Sequence, residues 1–103
     1  MKSFGDIQKM LKSAKEMQER LQQETAEMRV EGSAGGGMVT VVLDGQKNVL
    51  DLNLDPEVVN KDDIDMLKDL ILAAFRDASA KVDAALAEKL GGLGAGLKIP
   101  GMF

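Results

Sequence analysis

The chain has 103 residues, the size of a single domain, and a formal net charge of −4 at pH 7. Apolar residues make up 45% of it and its only aromatic residues are three Phe, which indicates a globular chain with a thin aliphatic core. The chain contains no Cys and no His. Disulfides, thiolate nucleophiles, the usual zinc and haem ligands and imidazole catalysis are therefore excluded. We expect a protein that is not an enzyme and that has no cofactor, no metal site and no small-molecule substrate.

The sequence predicts no membrane segment. The longest uninterrupted apolar run, Leu70–Phe75, is far shorter than the roughly 20 residues that span a bilayer, and the first residues lack the apolar core of a signal peptide. We therefore expect a reducing, cytoplasmic setting and no membrane partner.

Charge is distributed unevenly along the chain. Residues 1–15 carry four Lys and one acid (net +3), and residues 80–103 carry three Lys and two acids (net +1). Residues 16–79 carry six basic and fourteen acidic residues, a net −8. Phosphate binding needs concentrated Lys and Arg, so the net charge of the whole chain argues against nucleic acid, but the chain has an acidic middle between two basic ends that form a dipole if they meet in space.

The first predicted element is a long amphipathic helix from Phe4 to Met28. Ser3 and Asp6 stand in the positions of a capping box at its start. At about 1.5 Å per residue the helix is about 37 Å long and should protrude from a domain of this size. Its apolar residues recur at alternating spacings of three and four, with one gap at Glu24, a heptad-like seam that favours packing along another helix: Ile7, Met10, Ala14, Met17, Leu21 and Met28.

After this helix the apolar pattern changes to the period of two that is typical of strands. Val30 and Glu31 open a short first strand, and residues 32–37 are predicted to form a glycine-rich connection. Met38–Leu43 and Asn48–Leu54 are predicted as the second and third strands, with Asp44-Gly45 as the hairpin signal between them. The edges of the sheet lack the Pro and dense Lys that usually protect edges, so we expect something to cover them.

A second long helix is predicted from Ile64 to about Leu90, after Asp55-Pro56 ends the third strand. Its broad apolar stripe indicates contact with more than one surface. Gly91-Gly92 is expected to end the helix, so residues 1–90 form the single domain and residues 91–103 a flexible glycine-rich tail. Four tail residues nevertheless offer apolar surface for docking: Leu97, Ile99, Pro100 and Phe103.

The order of elements predicts an α+β fold with a three-stranded antiparallel sheet between two long helices. We expect the helices to lie antiparallel, with the basic start of the first beside the weakly basic end of the second, at the tip farthest from the sheet. One subunit cannot bury two long apolar stripes and the open sheet edges, so a homodimer is predicted.

The glycine-rich segment does not fit a nucleotide site. Gly32 and Gly37 have the glycine spacing of a phosphate-binding loop, but Met38 and Val39 stand where the loop needs Lys and Ser/Thr, and a strand follows instead of a helix. We interpret the glycines as a tight turn or bulge. The acidic residues around the start of the second helix are interpreted as a helix cap, because no loop is present to surround a cation.

These segments together resemble the YbaB/EbfC family of bacterial nucleoid-associated proteins. The resemblance covers nearly the whole chain. The first helix resembles the family mainly in its pattern of residues, whereas the other segments carry specific motifs. The residues that carry it are Val30–Val39 (VEGSAGGGMV), Leu54–Val59 (LDPEVV), Asp65–Phe75 with Asp77-Ala78, and Pro100-Gly101.

The resemblance implies a tweezer-like homodimer, with the strands in the joined body and the helices as prongs, that binds duplex DNA with little sequence preference. Thr40 stands where many relatives carry Lys, and the third strand lacks basic residues that some members have. We therefore expect the DNA contact at the helix tips and not on the sheet.

The candidate DNA-binding residues are the Lys residues of the two basic ends: Lys2, Lys9, Lys12, Lys15, Lys81 and Lys89. The series on the first helix wraps loosely around it instead of forming one stripe, so ordinary solvated surface is the alternative interpretation. The predicted function is a DNA-binding protein of the bacterial nucleoid that affects nucleoid organisation and gene expression. The alternative is a protein-interaction module whose apolar seams and acidic middle bind a partner protein.

Overall fold

The computed structural model describes residues 3–93, and of Gly92 and Leu93 only the backbone. The sheet is antiparallel in the order β1-β2-β3, and the molecule is elongated, at 73 × 25 × 16 Å. The predicted α+β order is confirmed. The elements are α1 (Phe4–Glu27), β1 (Val30–Ala34), β2 (Val39–Leu43), β3 (Val49–Leu54), a 3-10 turn (Pro56–Val58) and α2 (Ile64–Leu93).

Helix α1 begins with the predicted capping box. The Ser3 hydroxyl accepts the N–H of Asp6, and the Asp6 carboxylate accepts the N–H of Ser3. The helix then continues for 24 residues, none of them buried. Near its other end, the N–H of Gly45 donates to the carbonyl oxygen of Thr25 at 2.9 Å. The helix is therefore held near its C-terminal end, and its first turns protrude from the sheet.

Strand β1 is longer than predicted, because Gly32, Ser33 and Ala34 belong to it and not to the connection. Gly32 is needed inside the strand: a Cβ at this position would overlap the backbone of Ala78, where α2 crosses the sheet. The connection is reduced to residues 35–38. Its three glycines have φ angles of 64°, 67° and 94°, a left-handed conformation that glycine adopts without strain.

The connection between β2 and β3 is also longer than the predicted Asp44-Gly45 turn, and β3 starts at Val49 instead of Asn48. The largely buried Asp44 carboxylate accepts the side-chain amide of Asn48 at 2.9 Å and the backbone N–H groups of Asn48 and Gln46 at 2.9 and 2.8 Å. These bonds, led by the one from the Asn48 side chain, hold the pKa of Asp44 below its ordinary value. The aspartate thus organises a five-residue turn.

The core lies between α2 and one face of β1 and β2. Small side chains of α2, Ala74 and Ala78, let the helix approach the sheet closely. The helix continues to Leu93, beyond the predicted end near Leu90, because glycine inside a helix costs only about 1 kcal/mol relative to Ala and does not end it alone. The rest of the predicted tail lies outside the described residues. The buried apolar residues are Val39, Val41, Leu43, Val58, Ala74, Ala78 and Val82.

Candidate nucleic-acid interface

Three candidate lysines lie together on the protruding part of α1. At about 100° per residue, Lys9, Lys12 and Lys15 differ by steps of about 60°; they do not form a narrow stripe, as expected, but all three lie within an arc of about 120° on one side of the helix. We call these three residues the basic face. The other side of α1 carries an apolar stripe, made of Ile7, Met10, Leu11, Ala14, Met17 and Leu21.

The basic face is exposed and locally positive. Within residues 3–93, its three lysines form no ion pair. The only acid among residues 3–15, Asp6, is held in the capping box, and this stretch carries a net +2. Glu16 and Glu19 follow on the same side of the helix, so the positive surface is confined to residues 9–15.

Lys81 lies on the body of the molecule, at the edge of β1. Its Nζ is 3.0 Å from the carboxylate of Asp77 and 3.5 Å from the carbonyl oxygen of Glu31. The Asp77 carboxylate also accepts the backbone N–H of Ser33 at 3.0 Å. The Ser33 N–H, and after it the Lys81 ammonium, hold the pKa of Asp77 below its ordinary value. Lys81 is thus separated from the basic face.

Lys89 lies where the two helices meet. Its Nζ is 3.8 Å from the Glu24 carboxylate, and it lines an open cleft of about 230 Å³ with Met17, Arg20, Leu21 and Glu24. The helices are antiparallel here, but the described end of α2 lies beside the C-terminal half of α1. Lys15 is nine residues before Glu24, about 13 Å along the helix. The basic start of α1 therefore extends past Lys89.

Arg20 is a basic residue that the sequence analysis did not single out. It lies eleven residues after Lys9, which is three helical turns, so both residues lie on the same side of α1. Its position beside Lys89 in the cleft depends on a contact between distant parts of the chain. The eleven-residue spacing was the available signal in the sequence.

The face of the sheet away from α2 carries no basic residue. Thr40 and Val42 lie on this face, and strand register places their pairing partners on β1 and β3 beside them. The face is polar and acidic, and such a surface does not favour phosphate binding. Its residues are Glu31, Ser33, Thr40, Val42, Asp51 and Asn53.

The opposite face of β3 is apolar and exposed. Leu54 pairs with Val39, and Leu52 with Val41, so each pair lies on the same face of the sheet. Val39 and Val41 are 0% and 2% exposed, whereas Leu54 and Leu52 are 36% and 42% exposed. Helix α2 covers β1 and β2 but leaves β3 open. We call Leu52 and Leu54, with an apolar hollow on α2, the body surface; the hollow is lined by Ile64, Leu67, Lys68, Ile71 and Leu72.

The chain is similar to known proteins over nearly its whole length. Residues 2–97 match the model of the YbaB/EbfC DNA-binding family. A nucleoid-associated protein of Dictyoglomus thermophilum is 42% identical over 104 residues, with both chains covered completely. A nucleoid-associated protein of Brucella ovis is 46% identical over 101 residues, covering 95% of this chain and 94% of the relative.

The fold also matches a solved structure. The crystal structure of an uncharacterized Helicobacter pylori protein superposes with a TM-score of 0.74 at 19% identity, over 90% of this chain and 98% of that one. Of the helices in residues 3–93, none has the length and apolar character of a membrane span. The resemblance inferred from the glycine-rich, Asp-Pro and Met-Leu segments is confirmed. The chain belongs to the YbaB/EbfC DNA-binding family.

Proposed function

We propose that this chain binds duplex DNA as a homodimer, with little sequence preference, and that it acts at the nucleoid in the cytoplasm, where it affects nucleoid organisation and gene expression. The observation that carries the proposal is the basic face, whose three lysines are exposed and unpaired within the described residues. The family model, and the nucleoid-associated relatives, support DNA as the ligand.

The geometry of α1 reconciles DNA binding with an acidic chain. Lys12 lies fifteen residues before Glu27, about 22 Å along the helix. That distance is more than two Debye lengths at physiological ionic strength, where one length is about 8 Å. The acidic residues from Glu27 onward are therefore largely screened from a phosphate held at Lys12, and Glu16 and Glu19 are the nearby acids that limit the positive surface. Lysine contacts to phosphate carry no base information, so the proposed binding has little sequence preference.

The other candidate lysines have different roles in this proposal. Lys2 lies outside the described residues, and its place in the sequence adds one charge near the start of α1. Lys81 and Lys89 already face Asp77 and Glu24, so binding phosphate requires them to exchange an existing ion pair. We propose them as secondary contacts.

The proposed dimer forms through the body surface. Its leucines share a face with core residues yet remain more than one-third exposed, and burying apolar area contributes roughly 25 cal/mol per Å². A two-fold axis through this surface joins two bodies and leaves both α1 helices free to contact one duplex. A protein partner on the same surface is the alternative function, in which DNA binding is absent.

Titration of purified protein onto two duplexes of unrelated sequence tests the proposal at two salt concentrations. Each neutralised phosphate contributes about 0.9 to the slope of log affinity against log salt, so six basic-face lysines in a dimer predict a slope of about −5. We expect similar affinity for both duplexes. No measurable affinity at low salt would contradict DNA binding and favour the protein-interaction module.

A further inference from the structure

Helix α1 is joined to the rest of the molecule by a short connection. The helix ends at Glu27 and β1 begins at Val30, so Met28 and Arg29 form the whole connection. Met28 has a φ of −61° and a ψ of 142°, which is extended backbone. None of the 24 residues of α1 is buried, so a packed core does not fix the direction of the helix. Contacts near the connection must set that direction.

One such contact joins the end of α1 to the turn between β2 and β3. The carbonyl oxygen of Thr25 accepts the N–H of Met28 at 3.3 Å and the N–H of Gly45 at 2.9 Å. A Cβ at Gly45 would lie 2.5 Å from this oxygen and 2.5 Å from Cγ2 of Thr25. The backbones of the helix and of the turn therefore touch at Gly45, with no room for a side chain.

The turn is firmly anchored. Asp44 is largely buried, and its carboxylate accepts hydrogen bonds from Gln46 and Asn48. Lys47 has a φ of 66°, a conformation that a residue with a side chain keeps only where its surroundings hold it. The Nζ atom of Lys47 lies 3.0 Å from the carboxylate of Asp83 on α2. The turn is thus tied to α2 as well as to the sheet.

Helix α1 is the partner that can yield. Its Glu24 carboxylate lies 3.8 Å from the Nζ atom of Lys89, and an ion pair between partly exposed side chains contributes little to stability. From Asp6 to Glu27 the helix contains no Gly and no Pro, the residues at which helices commonly kink. We therefore expect a displacement at the base of α1 to turn the whole helix without bending it.

We propose that α1 pivots as a rigid arm at Met28 and Arg29, and that the β2–β3 turn, through Gly45, sets the resting direction of the arm. This inference goes beyond the proposed function, because it concerns the single subunit and requires neither DNA nor a dimer. In the proposed dimer, the same direction sets the separation of the two basic faces.

The geometry gives the size of the movement that a side chain at Gly45 should cause. Ordinary van der Waals contact begins at 3.4 Å, so a methyl group at Gly45 must push Thr25 away by about 1 Å. Thr25 lies four residues before Arg29, which is about 6 Å along the helix. A push of about 1 Å across the helix axis, at this distance from the pivot, tilts α1 by about 10°.

Residual dipolar couplings of the backbone N–H groups measure this tilt, because they report the orientation of α1 relative to α2 and the sheet of the same subunit. The wild type, G45A and G91A are compared in an aligned medium without DNA. G91A adds the same methyl group where nothing lies within 4 Å, so it is the matched control. We expect α1 to tilt by about 10° relative to α2 in G45A, and to keep its wild-type direction in G91A.

The wild type tests the pivot without any substitution, so the proposal stays falsifiable if G45A does not fold. Motion of a rigid arm lowers the couplings of α1 by one common factor relative to those of α2 and the sheet, while one helix geometry still fits them. Wild-type couplings of α1 at full strength would overturn the pivot. G45A couplings that keep α1 in its wild-type direction, with the turn displaced instead, would overturn the role assigned to Gly45.

Discussion

The carboxylate of Asp77 on α2 accepts the backbone N–H of Ser33 on β1 at 3.0 Å. The same carboxylate pairs with Lys81, whose Nζ reaches the carbonyl oxygen of Glu31. Asp77 and Lys81 thus hydrogen-bond to the backbone N–H of Ser33 and the carbonyl oxygen of Glu31. An added strand would need these two groups to pair with this edge of the sheet. Helix α2 protects the β1 edge in this way, and β3 is the edge strand left exposed among the described residues.

This contact predicts a pH-dependent stability. The folded-state pKa of Asp77 is lowered, so its carboxylate contributes stability that is present above the ordinary pKa of about 3.9 and is lost as pH falls through the folded value. D77N should therefore be less stable than the wild type at pH 7, and the difference should shrink progressively below about pH 4. Urea unfolding across this range measures it. A difference that stays constant with pH would contradict the assigned role.

Gly32 should be intolerant of any side chain. A Cβ there overlaps the backbone of Ala78 and comes within 2.5 Å of the carbonyl oxygen of Ala74, and the helix cannot yield without leaving the sheet. We expect G32A to cost more than about 2 kcal/mol of unfolding free energy or to prevent folding. G91A is the matched control: it adds a methyl group in open space on a helix and should be neutral or stabilising. A G32A protein as stable as the wild type would refute the close crossing.

A charge on the body surface should separate the dimer. Leu52 is 42% exposed in one subunit, so L52D should leave that subunit folded while placing a carboxylate in the proposed interface. N53D adds the same charge to the next residue, on the other face of the sheet. Sedimentation equilibrium at micromolar concentration should show a dimer of 11.0 kDa subunits for wild type and N53D, and a monomer for L52D. A folded wild-type monomer would rule out the dimer.

The two kinds of lysine should differ in their effect on DNA binding. K12Q removes one charge from each basic face, so a dimer should lose about 1.8 from the salt slope. K81Q should change the slope much less, because Lys81 is held by Asp77 and Glu31, and it should lower stability instead. Equal losses of slope would show that Lys81 contacts phosphate directly.

Local signals predicted much of this fold. The capping box of Ser3 and Asp6, the period of two in β2 and the Asp-Pro stop after β3 each depend on neighbours in sequence. The length of β1 did not follow from such signals. Gly32 lies in the strand because the backbone of α2 packs directly against it, and that contact joins residues that are distant in sequence. Lys81 was grouped with the helix tips for the same reason: its partners, Asp77 and the carbonyl of Glu31, are brought together by tertiary packing. The relative positions of Lys9, Lys12 and Lys15 around α1 follow from the helical period alone.

The central claim is that the basic face holds DNA, and charge reversal there is the most direct test. K9E/K12E/K15E changes the charge of each subunit by six units, and R29E/K61E/R76E changes it equally at exposed positions elsewhere. We expect the first variant to remain a folded dimer and to lose duplex binding. The second should keep most of its affinity, because charges beyond about 8 Å are largely screened. If K9E/K12E/K15E binds duplex DNA as tightly as the wild type, the basic face is not the DNA contact.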